Sequence, residues 1–265
     1  MKTLLVPIDF SENAIDAVQY AVHWSNQLES ERIILYHSSN TDSTANDIHL
    51  KELENIKEGL SSKDKLEVIC IVNNDGLTEG VVALVREYQV SFIVMGIAGR
   101  NKAGQKLIGS SVFQISENTD VPVLVIPSNT RFTKVENVAL ALPIIADLKD
   151  YTPHTAIETL VNTLDAKLLI VNVARKKDKT PKPVLYMGLQ DIFDMFEKLH
   201  PTYHFLTAQN TADSVAEFAR DNHAQLLISI AGKYGFLQGM FKSSVTKKLA
   251  YHSAVPLLIY HAEGS

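Results

Sequence analysis

The chain has 265 residues, of which 46% are hydrophobic and 21% are charged, and its formal net charge is -5. An acidic balance argues against a general nucleic-acid binder, which normally carries a basic excess. The single cysteine, Cys70, excludes an intramolecular disulfide framework and a cysteine-based zinc site. No apolar run approaches the ~20 residues of a membrane span, and none is typical of a signal peptide. We therefore expect a cytoplasmic protein with neither a nucleic-acid nor a membrane partner.

Short β-branched runs alternate with helical patterns along the first half of the chain. The runs predict strands at residues 4–8, 32–37, 66–72, 91–95 and 121–126. Helices are predicted at 11–28 (with Ser11 as the N-cap), at 77–89 and from Ser110. Largely uncharged strands that alternate with helices indicate a parallel sheet covered on both faces. Cys70 lies in the third strand, which favours a buried strand residue over a reactive thiol.

The same pattern starts again in the second half. Strands are predicted at 135–142, 167–173, 203–208, 225–230 and 255–260, and helices at 155–164, 189–199, 212–222 and 243–251. An offset of 133 residues lays Val82–Val112 over Val215–Val245 and Ile97-Ala98-Gly99 over Ile230-Ala231-Gly232. Such matches indicate an internal duplication. The turn-forming residues Pro127-Ser128-Asn129-Thr130 divide the chain into domains 1–130 and 131–265.

A glycine-containing loop follows the fourth strand and carries the clearest chemical signal. Gly96 and Gly99 are followed, ten residues later, by Gly109-Ser110-Ser111. Glycine after a strand lets a ligand approach the main chain, and a helix that opens with Gly-Ser presents free N–H donors to an anion. The sequence contains neither a P-loop nor the dinucleotide-binding fingerprint. The P-loop is excluded because Gln105-Lys106 follows Gly104. The fingerprint is excluded because the first strand leads into Asp9 without glycines. The loop predicts a phosphate site of another kind.

The pattern G-x2-G-x9-G-[ST] in this loop, with Asp9 after the first strand and Val121-Pro122-Val123 as the fifth, resembles the universal stress protein family. The resemblance covers the whole chain, once per half, and is stronger in the first half. It implies an α/β fold in which each half is a doubly wound, five-stranded parallel sheet of order 3-2-1-4-5, similar to the adenine nucleotide α-hydrolases. It also implies that the first domain binds ATP, with Mg²⁺ on the phosphates.

The implied strand order makes strands one and four neighbours, so their carboxyl ends border a crevice where the winding direction switches. Asp9 and Gly96 lie at those two ends. The resemblance places the adenine and ribose contacts on Pro7, Asp9 and Ser38. It places the loop contacts on Met95, Gly96, Gly99, Arg100, Gly109, Ser110 and Ser111. Asp9 is expected to accept hydrogen bonds from the adenine amine or the ribose hydroxyls, with capping of the first helix as the structural alternative.

The second half has lost most of these residues. At the offset of 133, Gly96 becomes Ser229 and Gly109 becomes Lys242, while Pro143 stands where the aspartate is expected. We therefore interpret residues 131–265 as a degenerate domain and expect one nucleotide per chain, in the first domain.

We expect a regulatory or stress-response protein with slow or no ATP hydrolysis, and we assign no catalytic or metal-binding residue. An interaction scaffold without nucleotide and an adenine-nucleotide hydrolase or transferase are the alternatives. None of the nine histidines forms a helical metal-binding pair, and His37 is interpreted as a packed strand residue. The two halves are expected to pair as an intramolecular pseudo-dimer through their fifth strands, which would otherwise be uncovered edges. Homodimerisation of the chain is left open.

Overall fold

A computed structural model describes residues 2–39, 43–60, 66–97, 110–175, 181–232 and 243–263. The chain divides into two compact units, Met1–Lys134 and Val135–Ser265. The described residues of each unit form five strands with helices between them, as the α/β prediction requires. Within the described segments, no helix combines the length and the apolar character that crossing a membrane demands.

The first unit alternates strands and helices along its length. Its elements are β1 (Thr3–Pro7), α1 (Glu12–Leu28), β2 (Arg32–Ser38), α2 (Ser43–Glu58), β3 (Glu67–Asn73), α3 (Leu77–Tyr88), β4 (Phe92–Ile97), α4 (Ser110–Asn118) and β5 (Val123–Pro127). The strands are parallel and follow the order β3-β2-β1-β4-β5. The predicted order 3-2-1-4-5 is therefore confirmed.

Helix α1 packs on the centre of this sheet, against β1 and β4. Ser11 has an extended backbone and its hydroxyl accepts a hydrogen bond from the Ala14 amide, so it caps the helix as predicted. The helix ends at Glu29, whose backbone is left-handed. Its buried face includes Trp24, whose ring meets Phe92 of β4 edge to face at 5.0 Å.

The second unit repeats this architecture. Its elements are β6 (Asn137–Ala141), α5 (Leu148–Tyr151), α6 (His154–Leu164), β7 (Lys167–Arg175), α7 (Lys182–Phe196), a 3₁₀ turn (Glu197–Leu199), β8 (Thr202–Ala208), α8 (Thr211–Asp221), β9 (Leu226–Ala231), α9 (Ser243–His252) and β10 (Leu257–His261). The parallel strands follow the order β8-β7-β6-β9-β10, which is again 3-2-1-4-5 counted within the unit. The tandem fold is confirmed.

Three helices differ from the sequence prediction. Helix α2 and the short helix α5 were not predicted. Helix α7 was expected at 189–199 but begins at Lys182, directly after Pro181, and gives way to a 3₁₀ turn at Glu197. Proline before or within the first turn suits a helix start, because the first amides have no partner inside the helix.

Candidate functional site

The carboxyl ends of β1 and β4 lie side by side in the first unit. Leu4 and Leu5 of β1 pair with Phe92 and Ile93 of β4. From β1 the chain continues to β2 on one side, whereas from β4 it continues to β5 on the other. A crevice at such a switch point is where open α/β sheets bind ligands.

Asp9 lies two residues after the end of β1 and is exposed to solvent. Its Oδ1 accepts a hydrogen bond of 3.0 Å from the backbone amide of Ser11, the N-cap of α1. Asp9 therefore contributes to the start of α1, as the structural alternative predicts. It also fixes the carboxylate at the edge of the crevice, and within the described part of the chain Oδ2 has no hydrogen-bond partner.

Gly96 lies in β4 and packs against the first turn of α1. A Cβ at this position would overlap the carbonyl oxygen of Asn13 and lie 2.5 Å from its carbonyl carbon. The sequence interpretation attributed this glycine to ligand approach. In the structure, the space that the missing side chain leaves is filled by the backbone of α1. Gly96 therefore sets the position of α1, and with it the position of Asp9.

The other described site residues on the strands present little side chain to a ligand. Pro7 is buried at the end of β1, where it pairs with Tyr36 of β2. Met95 is buried in β4 beside Val125 of β5. The Ser38 hydroxyl donates a 2.7 Å hydrogen bond to the carbonyl of Asp75, which commits it to the neighbouring loop. Any ligand contact at Ser38 is then left to the main chain.

Part of the glycine loop lies outside the described residues. This applies to Gly99, Arg100 and Gly109. Ser110 is the first residue of α4, and Ser111 is half-buried in its first turn. The role of this loop in phosphate binding stays a prediction.

A cluster of three rings lies beside Asp9 and was missed by sequence reasoning, apart from His37 as a packed residue. The ring centroids of Phe10 and His37 are 4.7 Å apart, those of His37 and His49 are 4.5 Å apart, and those of Phe10 and His49 are 5.7 Å apart. His37 Nδ1 lies 2.7 Å from the carbonyl oxygen of Ile8, so this nitrogen carries the proton and donates it. The cluster forms because α2 brings His49 over the ends of β1 and β2.

Two buried polar atoms on α2 have no hydrogen-bond partner among the residues that the structure describes. These are Asn46 Oδ1 and His49 Nδ1, three residues apart and hence on one face of the helix. The amide nitrogen of Asn46 donates to Asn74 Oδ1 at 2.9 Å, which leaves its carbonyl oxygen as the free acceptor. Buried polar atoms normally have partners, so these two are candidates for a bound group. Sequence reasoning missed them because it did not predict α2.

A hydrogen-bonded network joins β2 to the carboxyl end of β3. The Tyr36 hydroxyl donates to Asn73 Oδ1 at 2.8 Å, and Asn73 Nδ2 donates to Asp75 Oδ2 at 2.8 Å. Burial is the main cause of the raised pKa of Tyr36. The phenol therefore stays neutral, and its hydroxyl can donate this hydrogen bond. A Cβ on Gly80 of α3 would overlap the Tyr36 hydroxyl, so glycine there leaves room for it.

The corresponding place in the second unit is built differently. Ile93 and Leu227 occupy the same position, because the amide of Ile93 bonds to Pro122 and that of Leu227 bonds to Pro256. These pairs are 134 residues apart, not 133, so in these strands the predicted register was wrong by one residue. The counterpart of Gly96 is therefore Ile230, and the predicted counterpart Ser229 is wrong.

The corrected register changes how the second site differs from the first. Ser229 is the counterpart of Met95, and its buried hydroxyl lies 3.1 Å from that of Thr246 on α9. Pro143 remains the counterpart of Asp9. The helices after the loop begin at Ser110 and Ser243, which are 133 residues apart. Gly109 and its predicted counterpart Lys242 lie outside the described residues, so that pairing stays a prediction.

Helix α7 packs over the segment that follows β6. A Cβ on Gly188 would lie 2.5 Å from the carbonyl oxygen of Ile145 and 2.9 Å from a methyl of Ile144. The amide of Lys149 also donates to the Asp191 carboxylate on α7 at 3.3 Å. The space beside the end of β6 is thus occupied by the chain itself.

Comparison with known proteins agrees with this architecture. Residues 1–127 match the model of the universal stress protein family. A universal stress protein of Archaeoglobus fulgidus DSM 4304 superimposes with a TM-score of 0.67 at 18% identity and covers 98% of both chains. A Pseudomonas aeruginosa PAO1 protein of unknown function superimposes with a TM-score of 0.62 at 11% identity and covers 99% of this chain and 93% of its own.

A shorter match is a universal stress protein solved in complex with cAMP. It covers 47% of this chain and 96% of its own, at 18% identity and with a TM-score of 0.37. No curated protein matches the sequence significantly. Residues 1–127 belong to the universal stress protein family, and the chain is a tandem, two-domain member of that fold.

Proposed function

We propose that the first unit binds one adenine nucleotide, with ATP preferred and Mg²⁺ on its phosphates, and that this binding serves regulation with slow or no hydrolysis. The observation that carries the proposal is the exposed carboxylate of Asp9, held by the Ser11 amide at the carboxyl end of β1 beside β4. A fixed acceptor suits ribose hydroxyls or an amine, both of which are donors. The phosphates must stay away from it, since a carboxylate repels them.

The base has complementary groups on the α2 side of the crevice. Adenine carries an exocyclic amine and several ring-nitrogen acceptors, and its flat surface stacks on aromatic rings. Asn46 Oδ1 is a buried acceptor and His49 Nδ1 is a second buried polar atom, and neither has a partner in the described segments. Phe10, His37 and His49 supply the rings. These described residues therefore fit the adenosine end of the nucleotide.

The phosphates are assigned to the other side, where α4 begins. Ser110 and Ser111 form its first turn, and the first amides of a helix are free to bind an anion. The glycines before this turn complete the proposed cradle, as the family resemblance implies.

Substitution of Asp9 by asparagine tests the proposal directly. In the variant, the side-chain amide oxygen can still accept from the Ser11 amide, but an NH₂ group replaces Oδ2 and cannot accept from the ligand. Loss of such a bond costs about 1–3 kcal/mol, so we expect ATP affinity to fall by about tenfold or more with little change in melting temperature. Calorimetric titration and a thermal melt measure the two quantities.

Ser11→Ala is the matched control. It removes the cap to Ala14 but leaves Asp9 and the Ser11 amide in place. We expect lower stability and unchanged ATP affinity. Equal ATP affinity in wild-type protein and Asp9→Asn would place the nucleotide elsewhere, and no binding by the wild type would favour the scaffold alternative. A phosphate-release assay with multiple turnovers would favour the hydrolase alternative.

A further inference from the structure

Exposed apolar side chains concentrate on one surface of the second unit. Among the described residues, seven large hydrophobic side chains are exposed, and four of them belong to α7 and β8. Their exposed fractions are 68% for Tyr186, 50% for Met187, 42% for Phe193 and 51% for Phe205. We call these four residues, together with Tyr203, the α7–β8 patch. Contiguous exposed apolar patches on soluble proteins commonly mark interaction sites.

The patch is continuous across the two elements. The rings of Phe193 on α7 and Tyr203 on β8 meet edge to face, with their centroids 4.5 Å apart. Tyr203 and Phe205 are two residues apart on a strand and so share its face, and Tyr186 and Phe193 are two helical turns apart on one side of α7. The surface therefore joins a helix face to the strand beside it.

Strand β8 lacks the features that usually protect a sheet edge. It pairs with β7 along one side, and no strand in the described part of the chain pairs with its other side. Its seven residues, Thr202–Ala208, include no charged residue and no proline. Charges, prolines and bulges normally prevent an edge strand from pairing with another chain. An uncharged edge next to exposed aromatic side chains is suited to pairing.

We infer that the α7–β8 patch is a homodimer interface, in which β8 pairs antiparallel with β8 of a second copy of this chain across a twofold axis. In a twofold dimer the same surface of both copies meets, so charges of one sign on that surface would repel each other. The patch residues and β8 carry no formal charge, which meets this condition. The edge of one strand is also complementary to its own copy when the two run antiparallel, because each offers alternating donors and acceptors. The exposed charges of Asp194, Glu197 and Lys198 then belong to a mixed polar rim. Burial, and to a lesser extent the nearby Glu197 carboxylate, raises the pKa of the Tyr203 phenol.

Sedimentation velocity of the full-length chain over a micromolar concentration series tests the inference. We expect wild-type protein to reach twice the chain mass of 29.4 kDa. Phe205→Lys places a charge at the centre of the paired strands, and Tyr186→Lys places one on an already exposed helical position. Each variant should raise the dimer dissociation constant at least about tenfold, as expected when an aromatic interface residue is lost.

Ile48→Lys is the matched control, because Ile48 is a 59% exposed apolar residue on α2 in the first unit. It should dimerise like the wild type. Thermal melts of all variants establish that they are folded, and Tyr186→Lys keeps the test valid if Phe205→Lys unfolds, since lysine is a good helix former. A wild-type chain that stays monomeric, or a dimer that both patch variants leave unchanged, would overturn the inference. The outcome is independent of nucleotide binding.

Discussion

The absence of a side chain at Gly96 allows the close packing of α1 that positions Asp9 in the candidate site. Its position in β4 lets the carbonyl of Asn13 come so close that no Cβ would fit. The same first turn of α1 holds Ser11, whose amide holds Asp9. A residue that sequence reasoning assigned to ligand contact therefore acts first on the placement of the helix.

We predict that Gly96→Ala destabilises the protein by about 1–3 kcal/mol, the usual cost of forcing an extra carbon into a packed site. The measurement is the free energy of unfolding in denaturant. Gly59→Ala is the control, because a Cβ there would lie at an ordinary 3.4 Å from its nearest neighbour, the carbonyl oxygen of Ile56. Equal stability of the two variants would mean that α1 does not pack on β4 in this way.

Cys70 lies in β3, as predicted, but is only half-buried. Burial, with the neighbouring Glu54 carboxylate, raises the pKa of the Cys70 thiol to about 12. The thiol therefore stays protonated in the folded protein. The neutral thiol contributes to the free energy of unfolding below the unfolded-state pKa of 9.0, and this contribution is lost as the pH rises toward 12.

The prediction for Cys70 is slow alkylation, because the thiolate is the nucleophile. At pH 8 in native protein, we expect the rate with iodoacetamide to be at least about tenfold below that in denaturant. Mass spectrometry of the intact chain follows the reaction. Comparable rates in the two states would show that the thiol is not held in its neutral form.

Helix α1 is the element on which the candidate site depends. Its start is defined by the Ser11 hydroxyl, which accepts from the Ala14 amide at 3.3 Å. Removing such a cap costs about 0.5–2 kcal/mol, so Ser11→Ala should lower the free energy of unfolding by that amount. Thermal or denaturant unfolding measures it, and a variant as stable as the wild type would assign the helix start to other contacts.

The strands were predicted well because their apolar, β-branched runs are local signals. In the fourth strand of each unit the repeat offset was wrong by one residue, because it was read there from the matching tripeptides Ile97-Ala98-Gly99 and Ile230-Ala231-Gly232. In the structure, Ile97 lies one strand position beyond the counterpart of Ile230. Identical residues do not fix a register when strand pairing and helix packing determine it, and these are tertiary contacts.

The helices after β2 and β7 were the least predictable elements, and both bear on the sites. Helix α2 has a mainly polar sequence and an interrupted apolar pattern, so its periodicity is weak. It nevertheless brings Asn46 and His49 to the end of the sheet. Helix α7 packs through Gly188 onto Ile145, a contact that no local pattern shows. The position of Asp9 at the end of β1 could be predicted because a carboxylate after the first strand is visible in the sequence itself.

At the scale of the whole molecule, two units share one topology but present different surfaces at the carboxyl ends of their strands. The first unit offers Asp9 and the ring cluster. The second has Pro143 and Ile230 at the positions of Asp9 and Gly96, and its α7 packs over the segment after β6. The differences between the two units thus explain why we propose a single nucleotide site, in the first unit.

Calorimetric titration of the 265-residue chain with ATP and Mg²⁺ measures the number of nucleotide sites. We predict a stoichiometry near one nucleotide per chain and, for a micromolar site, a binding free energy of roughly -8 kcal/mol. Asp9→Asn should abolish or weaken this single transition, whereas Asp147→Asn, an exposed carboxylate beyond β6 in the second unit, should leave it unchanged. A stoichiometry near two would show that the second unit also binds nucleotide, and a single transition that Asp9→Asn does not affect would show that the nucleotide does not bind at Asp9.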